Sequence, residues 1–498
     1  MKQFYRHPLM AFLSVAALVG CGGSSSSSGG APAVAQALCS GTAVTPERVF
    51  LQQLSHDSVI IKWRSAAMDR LAGNEATAVC IGTKADALPE SSLTAATVTE
   101  TNHSEALITG LKPDTQYFYS IGGAAEATPG FSFRTAPRPD SLPSDGNIRV
   151  WVVGDPGTAS SPLLDRGTGA QALVRDGFLT WSTNNGAEPA DLFLMLGDNA
   201  YLDGTDDQFQ TAVFDLYGDI LASTGMWPTI GNHEMGSGGT STADSVALYT
   251  PGTGAPDPGL VPMPYLNIHS LPTQAEMGGI PSGTEQYYSF DYGNLHVISL
   301  DSQVSTRNPD NLAAMLSWVT SDLQANTKDW TIVIFHHPPY TKGSHDSDDN
   351  AGGVDDPIFV MREQFNPVFE AHGVDLVYGG HSHSYERSFY INGHHGLSTS
   401  FDPAVHAELN SAMQPASGQG AEAYEQITST GADDKVIYTV AGNSGQATGM
   451  SDENGHPAHF FSTGDLLGSV VVDISRNTLT ATFIDETGVE HDYFTISR

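Results

Sequence analysis

Five short segments supply side chains of the types that can bind metal ions. "GDPG" supplies Asp155, "GDNAY" supplies Asp198 and Tyr201, and "GNHE" supplies Asn232, His233 and Glu234. "VIFHHPPY" supplies His336 and His337, and "YGGHSHSYER" supplies His381 and His383. Carboxylates, a phenol, an amide oxygen and imidazoles are ligands for hard and borderline cations. His381 and His383 stand one residue apart, a spacing that puts both on one face of an extended segment. Glycine beside most of these positions lets the backbone turn sharply and aim a side chain at a shared centre. Singly, each is an ordinary turn or helix-cap residue. Five in this order, each behind an apolar run, point to a common centre.

The apolar runs are "IRVWVVGD", "LFLMLGDN", "LHVISLD", "WTIVIFHH", "VDLVYGGH" and "KVIYTVAG". Continuous apolar strands are buried on both sheet faces, so an α/β core with helices outside is expected. Leu312, Met315, Leu316, Val319 and Leu323 fall on one helical face. In α/β folds ligands sit beyond the C-terminal ends of strands, where Asp155, Asp198, His336 and His381 would lie. Upstream, about Thr45 to Thr135 alternates apolar and polar with turn residues between, as in a small antiparallel sandwich with Trp63 in a core strand. The Pro- and Asp-rich stretch Pro137–Asn147 reads as a linker. Met235–Ser282, Thr341–Pro357 and Asn392–Gly420 are Gly- and Pro-rich and read as surface insertions over the strand tips.

The 498 residues carry 21 Lys plus Arg against 56 Asp plus Glu, a formal charge of -35. Such a surface repels nucleic acid, and an anionic substrate would need a local positive group to hold it. The first 20 residues have a basic start (Lys2, Arg6) and an apolar stretch too short to span a bilayer. The apolar stretch ends in "LVGC", Leu18 to Cys21, which resembles the lipobox of bacterial lipoproteins. Cleavage there would leave Cys21 as a lipid-bearing N-terminus and the protein exported and membrane-anchored. The expected organisation is a leader over 1–20, a Gly/Ser tether over 21–44, the sandwich over 45–136 and a catalytic domain over 147–498. Cys39 and Cys80 either pair, as an oxidising compartment allows, or are two buried thiols.

With these blocks in order, the chain resembles the calcineurin-like metallophosphoesterases, and within them the purple acid phosphatases. That family carries GDxG, GDxxY, GNH[DE], VxxH and GHxH, which stand here as "GDPG", "GDNAY", "GNHE", "VIFH" and "GHSH" over about Arg149 to Arg387. "GLKPDTQYFYSI" resembles the late strands of a fibronectin type III domain, as plant-type members carry. The resemblance implies a metallophosphoesterase β-sandwich core flanked by helices, behind a small all-β fibronectin type III-like sandwich. It implies two metals. Asp155, Asp198, Tyr201 and His383 would hold Fe(III). Asp198, Asn232, His336 and His381 would hold Zn, Mn or Fe(II), with Asp198 bridging. Carboxylate and phenolate oxygens suit a hard trivalent ion, and imidazoles and amide a divalent one. Such a cluster keeps positive charge in excess and can hold phosphate inside an acidic protein.

The activity implied is an acid phosphatase acting on small phosphate monoesters through a metal-bound hydroxide. His233 would donate a hydrogen bond to phosphate or protonate the leaving oxygen, and His345 stands where plant-type members carry a substrate-contacting histidine. His337 reads as a supporting or rim residue. Glu386 and Arg387 read as a supporting ion pair, and "HDSDDNAGGVDD" as a solvated acidic loop rather than a calcium site, since Ala351 and Pro357 break the EF-hand pattern. The alternatives are a phosphodiesterase on the same metal core and a surface-binding protein with a vestigial site.

Overall fold

The N-terminal strands form where β-branched and aromatic residues alternate with polar ones. In the computed structural model, which describes residues 37–98, 103–186, 189–235, 263–349, 357–426 and 435–498, these are β1 (Arg48–Gln52), β2 (Ser58–Arg64), β3 (Ala78–Gly82), β4 (Thr94–Ala95), β5 (Thr97–Val98), β6 (Ser104–Thr109), β7 (Gln116–Ile121) and β8 (Ser132–Arg134). The order β4-β3-β7-β8 makes one layer, and β1-β2-β6-β5 makes the other. Strand β6 shows the rule: Ser104, Ala106 and Ile108 point inward while Leu107 and Thr109 are exposed. Trp63 is fully buried between the layers with Val79, Tyr119, Ile121 and Phe133. The leader, the lipobox and Cys21 lie outside the described residues. The end of the expected tether is not free: Cys39 is disulfide-bonded to Cys80, and Gly41 and Val44 donate backbone hydrogen bonds to Gly123 and Ile121.

The following strands are β9 (Ile148–Val153), β10 (Leu192–Met195), β11 (Gly225–Pro228), β12 (Tyr288–Tyr292), β13 (Leu295–Ser299), β14 (Trp330–Ile334), β15 (Leu376–Gly379), β16 (Tyr385–Ser388), β17 (Tyr424–Glu425), β18 (Ile437–Ala441), β19 (His459–Thr463), β20 (Gly468–Ile474), β21 (Thr478–Asp485) and β22 (Glu490–Ser497). They build two sheets. One runs β12-β13-β14-β15-β18-β16-β19. The other, β17-β22-β21-β20-β9-β10-β11, continues through β1 into the N-terminal sandwich, because β11 pairs in parallel with β1 at Leu51 and Gly225. Nothing in the strand pattern of the chain signals this junction.

Packing explains the unbroken apolar runs. The two sheets face each other: Trp227 stacks on Phe290 at 3.7 Å and Tyr385 on Phe483 at 3.9 Å. Outside, the helix Ala170–Asn184 lays Phe178 on Trp151 at 4.4 Å. The helix Pro309–Ala325 buries Met315, Val319 and Leu323 in the core cluster that also holds Val333 of the other sheet. Asn308 caps that helix by accepting the amides of Asp310 and Asn311. In β14, Ile332 and Ile334 face the inter-sheet core while Val333 faces the helix layer. A strand covered on both sides cannot alternate apolar with polar.

Two polar features tie this scaffold together. The fully buried Arg387 makes a bidentate pair with the fully buried Asp492, at 2.6 and 2.9 Å, joining β16 to β22. Glu386 points elsewhere, so the expected Glu386–Arg387 pair does not form; neighbouring strand residues face opposite sides. The second feature is His296, on β13, whose ring nitrogens lie 2.8 Å from Asp291 and 2.9 Å from Asp322.

Burial alone would strip the proton from His296, but hydrogen bonds and charge from Asp291 and Asp322 raise its imidazole to about 9. A folded value above the unfolded one, about 6.5, means the stabilisation is complete below that value and is lost as pH rises through about 9. Urea unfolding of wild type and His296→Gln should therefore show the largest difference near pH 6 and a shrinking one by pH 10. A pH-independent difference would contradict this.

Candidate metal centre and active site

All five segments sit at the C-terminal ends of parallel strands. Asp155 follows β9, Asp198 follows β10, Asn232 follows β11, His336 follows β14, and His381 and His383 follow β15. Asp155, Asp198 and His381 have φ of 53°, 50° and 64°, a left-handed conformation that costs free energy in residues with a Cβ. Their glycine neighbours are forced by contact. A Cβ on Gly231 would lie 2.2 Å from the Asp198 amide nitrogen, and one on Gly380 2.3 Å from Asp155 Oδ2.

The side chains converge in two groups. In the first, Tyr201 Oη lies 3.2 Å from Asp155 Oδ1, 3.2 Å from Asp198 Oδ2 and 3.3 Å from His383 Nε2. In the second, Asn232 Oδ1 lies 2.9 Å from His336 Nε2 and 2.9 Å from His381 Nδ1. Asp198 joins them, because its Oδ2 is also 3.4 Å from His336 Nε2. Ligand atoms of Asp155, Asp198 and His336 all lie within 4.8 Å of one another. The seven residues assigned from the sequence as metal ligands are thus gathered about one centre.

The remaining histidines ring that centre. His233 Nδ1 donates to Leu202 O at 2.7 Å, which turns Nε2 toward Asp198 Oδ2 at 3.9 Å. Its ring meets Tyr201 edge-on at 4.4 Å. His345 is exposed and stacks on His381 at 3.9 Å, so the Thr341 insertion does reach the site. His337 is buried, with Nδ1 2.9 Å from Ser302 Oγ. The acidic loop is less solvated than expected: Lys342 pairs with Asp346 and Asp348, and Asp348 accepts the Ser398 amide at 3.1 Å.

The electrostatics favour cation binding. Burial opposes charge on Asp198, yet His336 and His233 hold its carboxyl well below the usual carboxylate range. Burial, then Asp198 and Asp155, push the Tyr201 phenol far above its ordinary value. His336 is drawn up to about 9 by Asp198 and Asp155 against the effect of burial. His381 is driven well below its ordinary value by burial and by the neighbouring imidazoles, so its ring is neutral. An ionised carboxylate, a crowded phenol, a proton-holding His336 and a neutral His381 about one point are a donor set in which a multivalent cation would replace the bound protons.

Two carboxylates act as supports through partners that were not assigned from the sequence. The buried Glu234 carboxylate accepts the amides of Gly231 (2.7 Å), Asp198 (3.0 Å) and Asn199 (2.7 Å), locking two ligand loops together. Burial and the Asp198 charge push it up to about 7. The buried Glu386 accepts from Thr341 Oγ1, the Lys342 amide (2.9 Å) and Ser384 Oγ (2.8 Å), joining the His345 loop to the His381–His383 loop. A lone acidic residue after a motif gives no hint of such partners, since they come from other loops.

Residues 148–385 match the family described as calcineurin-like phosphoesterase, and residues 46–135 match the purple acid phosphatase N-terminal domain. Purple acid phosphatase 21 of Arabidopsis thaliana is 28% identical over 285 residues, 56% of this chain and 51% of that protein. Purple acid phosphatase 1 of Ipomoea batatas is 24% identical over 381 residues, covering 74% of this chain and 65% of that protein. The chain spans about half the length of the first Arabidopsis relatives it matches. A purple acid phosphatase structure from yellow lupin (Lupinus luteus) seeds superposes with TM-score 0.62 at 17% identity, over 90% of this chain and 74% of that one. The structure of PhoD gives 0.54 at 15% identity, over 94% and 92%. At such identities these structures speak to the fold.

The Glu234 clamp is testable. Glu234→Gln keeps the size but turns an amide NH2 toward a backbone N–H, stranding a buried donor. That should lower stability by about 2–3 kcal/mol and weaken metal binding, read by chemical denaturation and metal titration. Unchanged stability would show that the three amides do not need the carboxylate.

Proposed function

We propose that this chain, a calcineurin-like metallophosphoesterase with a purple acid phosphatase N-terminal domain, is a dinuclear-metal acid phosphatase that hydrolyses phosphate monoesters. One observation carries the reading: Asp198 Oδ2 lies between Tyr201 Oη at 3.2 Å and His336 Nε2 at 3.4 Å, where a carboxylate can serve two cations. Asp155, Asp198, Tyr201 and His383 would hold Fe(III), and Asp198, Asn232, His336 and His381 would hold Zn, Mn or Fe(II). When bound, the two ions would supply Lewis acidity and acidified water at mildly acidic pH.

The protein's own groups do the rest. The Leu202 carbonyl fixes the His233 tautomer, and the Nε2 side of the ring faces the centre. From there it can donate to a phosphate oxygen or to the leaving oxygen. His345, stacked on His381 at the mouth, would contact the phosphate ester. Glu386 holds that loop against the ligand loop. The cations would offset the repulsion that a chain of formal charge -35 exerts on a phosphate. We further propose export with a lipid anchor at Cys21, on the strength of the "LVGC" sequence.

The purified protein should turn over p-nitrophenyl phosphate faster than its bis ester, lose activity on chelation and regain it with iron plus a divalent ion. The reverse substrate preference would favour the phosphodiesterase reading. Tyr201→Phe should abolish the visible phenolate-to-iron absorption band. His233→Ala should lower turnover by about 10²–10⁴-fold at unchanged metal content. Loss of metal in that variant would reassign His233 to the ligand scaffold.

A further inference from the structure

We propose that His337 is a third imidazole ligand of the divalent position, beside His336 and His381, and that this nitrogen-rich set selects zinc over manganese there. The inference rests on the dinuclear reading above and adds a residue to it. Ring nitrogens of His336, His337 and His381 lie within 4.8 Å of one another, a cluster separate from the carboxylate one apart from the shared His336. The His337 ring is 4.4 Å from that of His381 and 4.9 Å from that of His336. The residue is only 3% exposed, so it is not a rim group waiting on solvent.

The way His337 is held matches a ligand. Metal-binding histidines donate the ring N–H that does not face the metal to a nearby oxygen, which fixes the tautomer and frees the other nitrogen. His336 does this: Nδ1 donates to Leu196 O at 2.9 Å and Nε2 faces Asn232. His337 repeats the arrangement next door, with Nδ1 2.9 Å from Ser302 Oγ. The same hydroxyl accepts the His337 backbone amide at 3.0 Å, which pins the residue at both ends. The assignment requires Nδ1 to donate to Ser302 Oγ, leaving the Nε2 lone pair for the cation. Three imidazoles shift a site away from ions that prefer carboxylate and water, such as manganese, toward zinc.

The direct test is zinc-edge X-ray absorption on the wild-type holoprotein loaded with iron and zinc, which needs no variant. Three imidazoles on zinc are expected, and two would overturn the proposal. In competition titrations, His337→Ala should lose about 10-fold or more in zinc affinity, with a much smaller change for manganese. An unchanged zinc-to-manganese ratio in a folded His337→Ala protein would also overturn it. Ser302→Ala should fall between the two proteins, because it frees the tautomer without removing the ring; zinc affinity equal to wild type would count against the tautomer that ligation requires. Failure of the wild type to bind any divalent ion beside iron would bring down the dinuclear reading, whereas failure to take zinc while binding manganese, or two imidazoles on zinc, removes this proposal alone.

Discussion

Asp198 is a carboxylate only 2% exposed, and its oxygens meet a phenol, an imidazole and the amide of His233. No Lys or Arg hydrogen-bonds or pairs with it among the described contacts. A buried charge in that position is costly unless opposite charge compensates it. Much of the local architecture keeps it there. The left-handed turn at φ 50° aims it inward, Gly231 leaves room for its backbone, and Glu234 holds its amide. Where the fold spends backbone strain and buries a second carboxylate to hold a first, cation binding is the physical economy that makes sense of the arrangement.

The same logic reconciles an acidic chain with an anionic substrate. The surface field of a protein with formal charge -35 opposes a phosphate. Long-range repulsion is screened over about 8–10 Å at physiological salt, so a compact positive centre can prevail at contact distance. The imidazoles add to this without adding negative charge. His345 and His233 stand beside the centre as imidazoles rather than as further carboxylates.

The N-terminal sandwich is more than an appended module. Strand β1 pairs with β11, whose end leads to Asn232. Arg48 of β1 grips Asp206 through both oxygens at 3.1 Å, and Arg64 of β2 reaches the same carboxylate. Asp206 opens the short helix just after the Tyr201 loop. Lys62 of β2 donates to Ser270 Oγ at 2.8 Å, within the described part of the first insertion. The N-terminal strands therefore brace two of the loops that carry or flank ligands, through charges that the sequence alone offered no way to match.

Order and chemical type of the ligands were readable from the chain, because a metal site constrains residue identity and the turn at each strand end constrains its glycine neighbours. Asp155, Asp198, Tyr201, Asn232, His336, His381 and His383 were among the candidates those local signals offered, and the resemblance to the purple acid phosphatase blocks singled them out as a ligand set; the apolar strands and the helix carrying Met315 and Val319 were read from their periodicity. Partnerships between distant segments were not readable. Glu386 leaves Arg387 for Thr341 and Lys342, Arg387 finds Asp492 across the inter-sheet core, Glu234 gathers amides from two loops, and Ser302 orients His337. A side chain's own type and its neighbours in sequence dictate what it can bind. Which group meets it is set by how two sheets pack face to face, and that is a property of the folded chain.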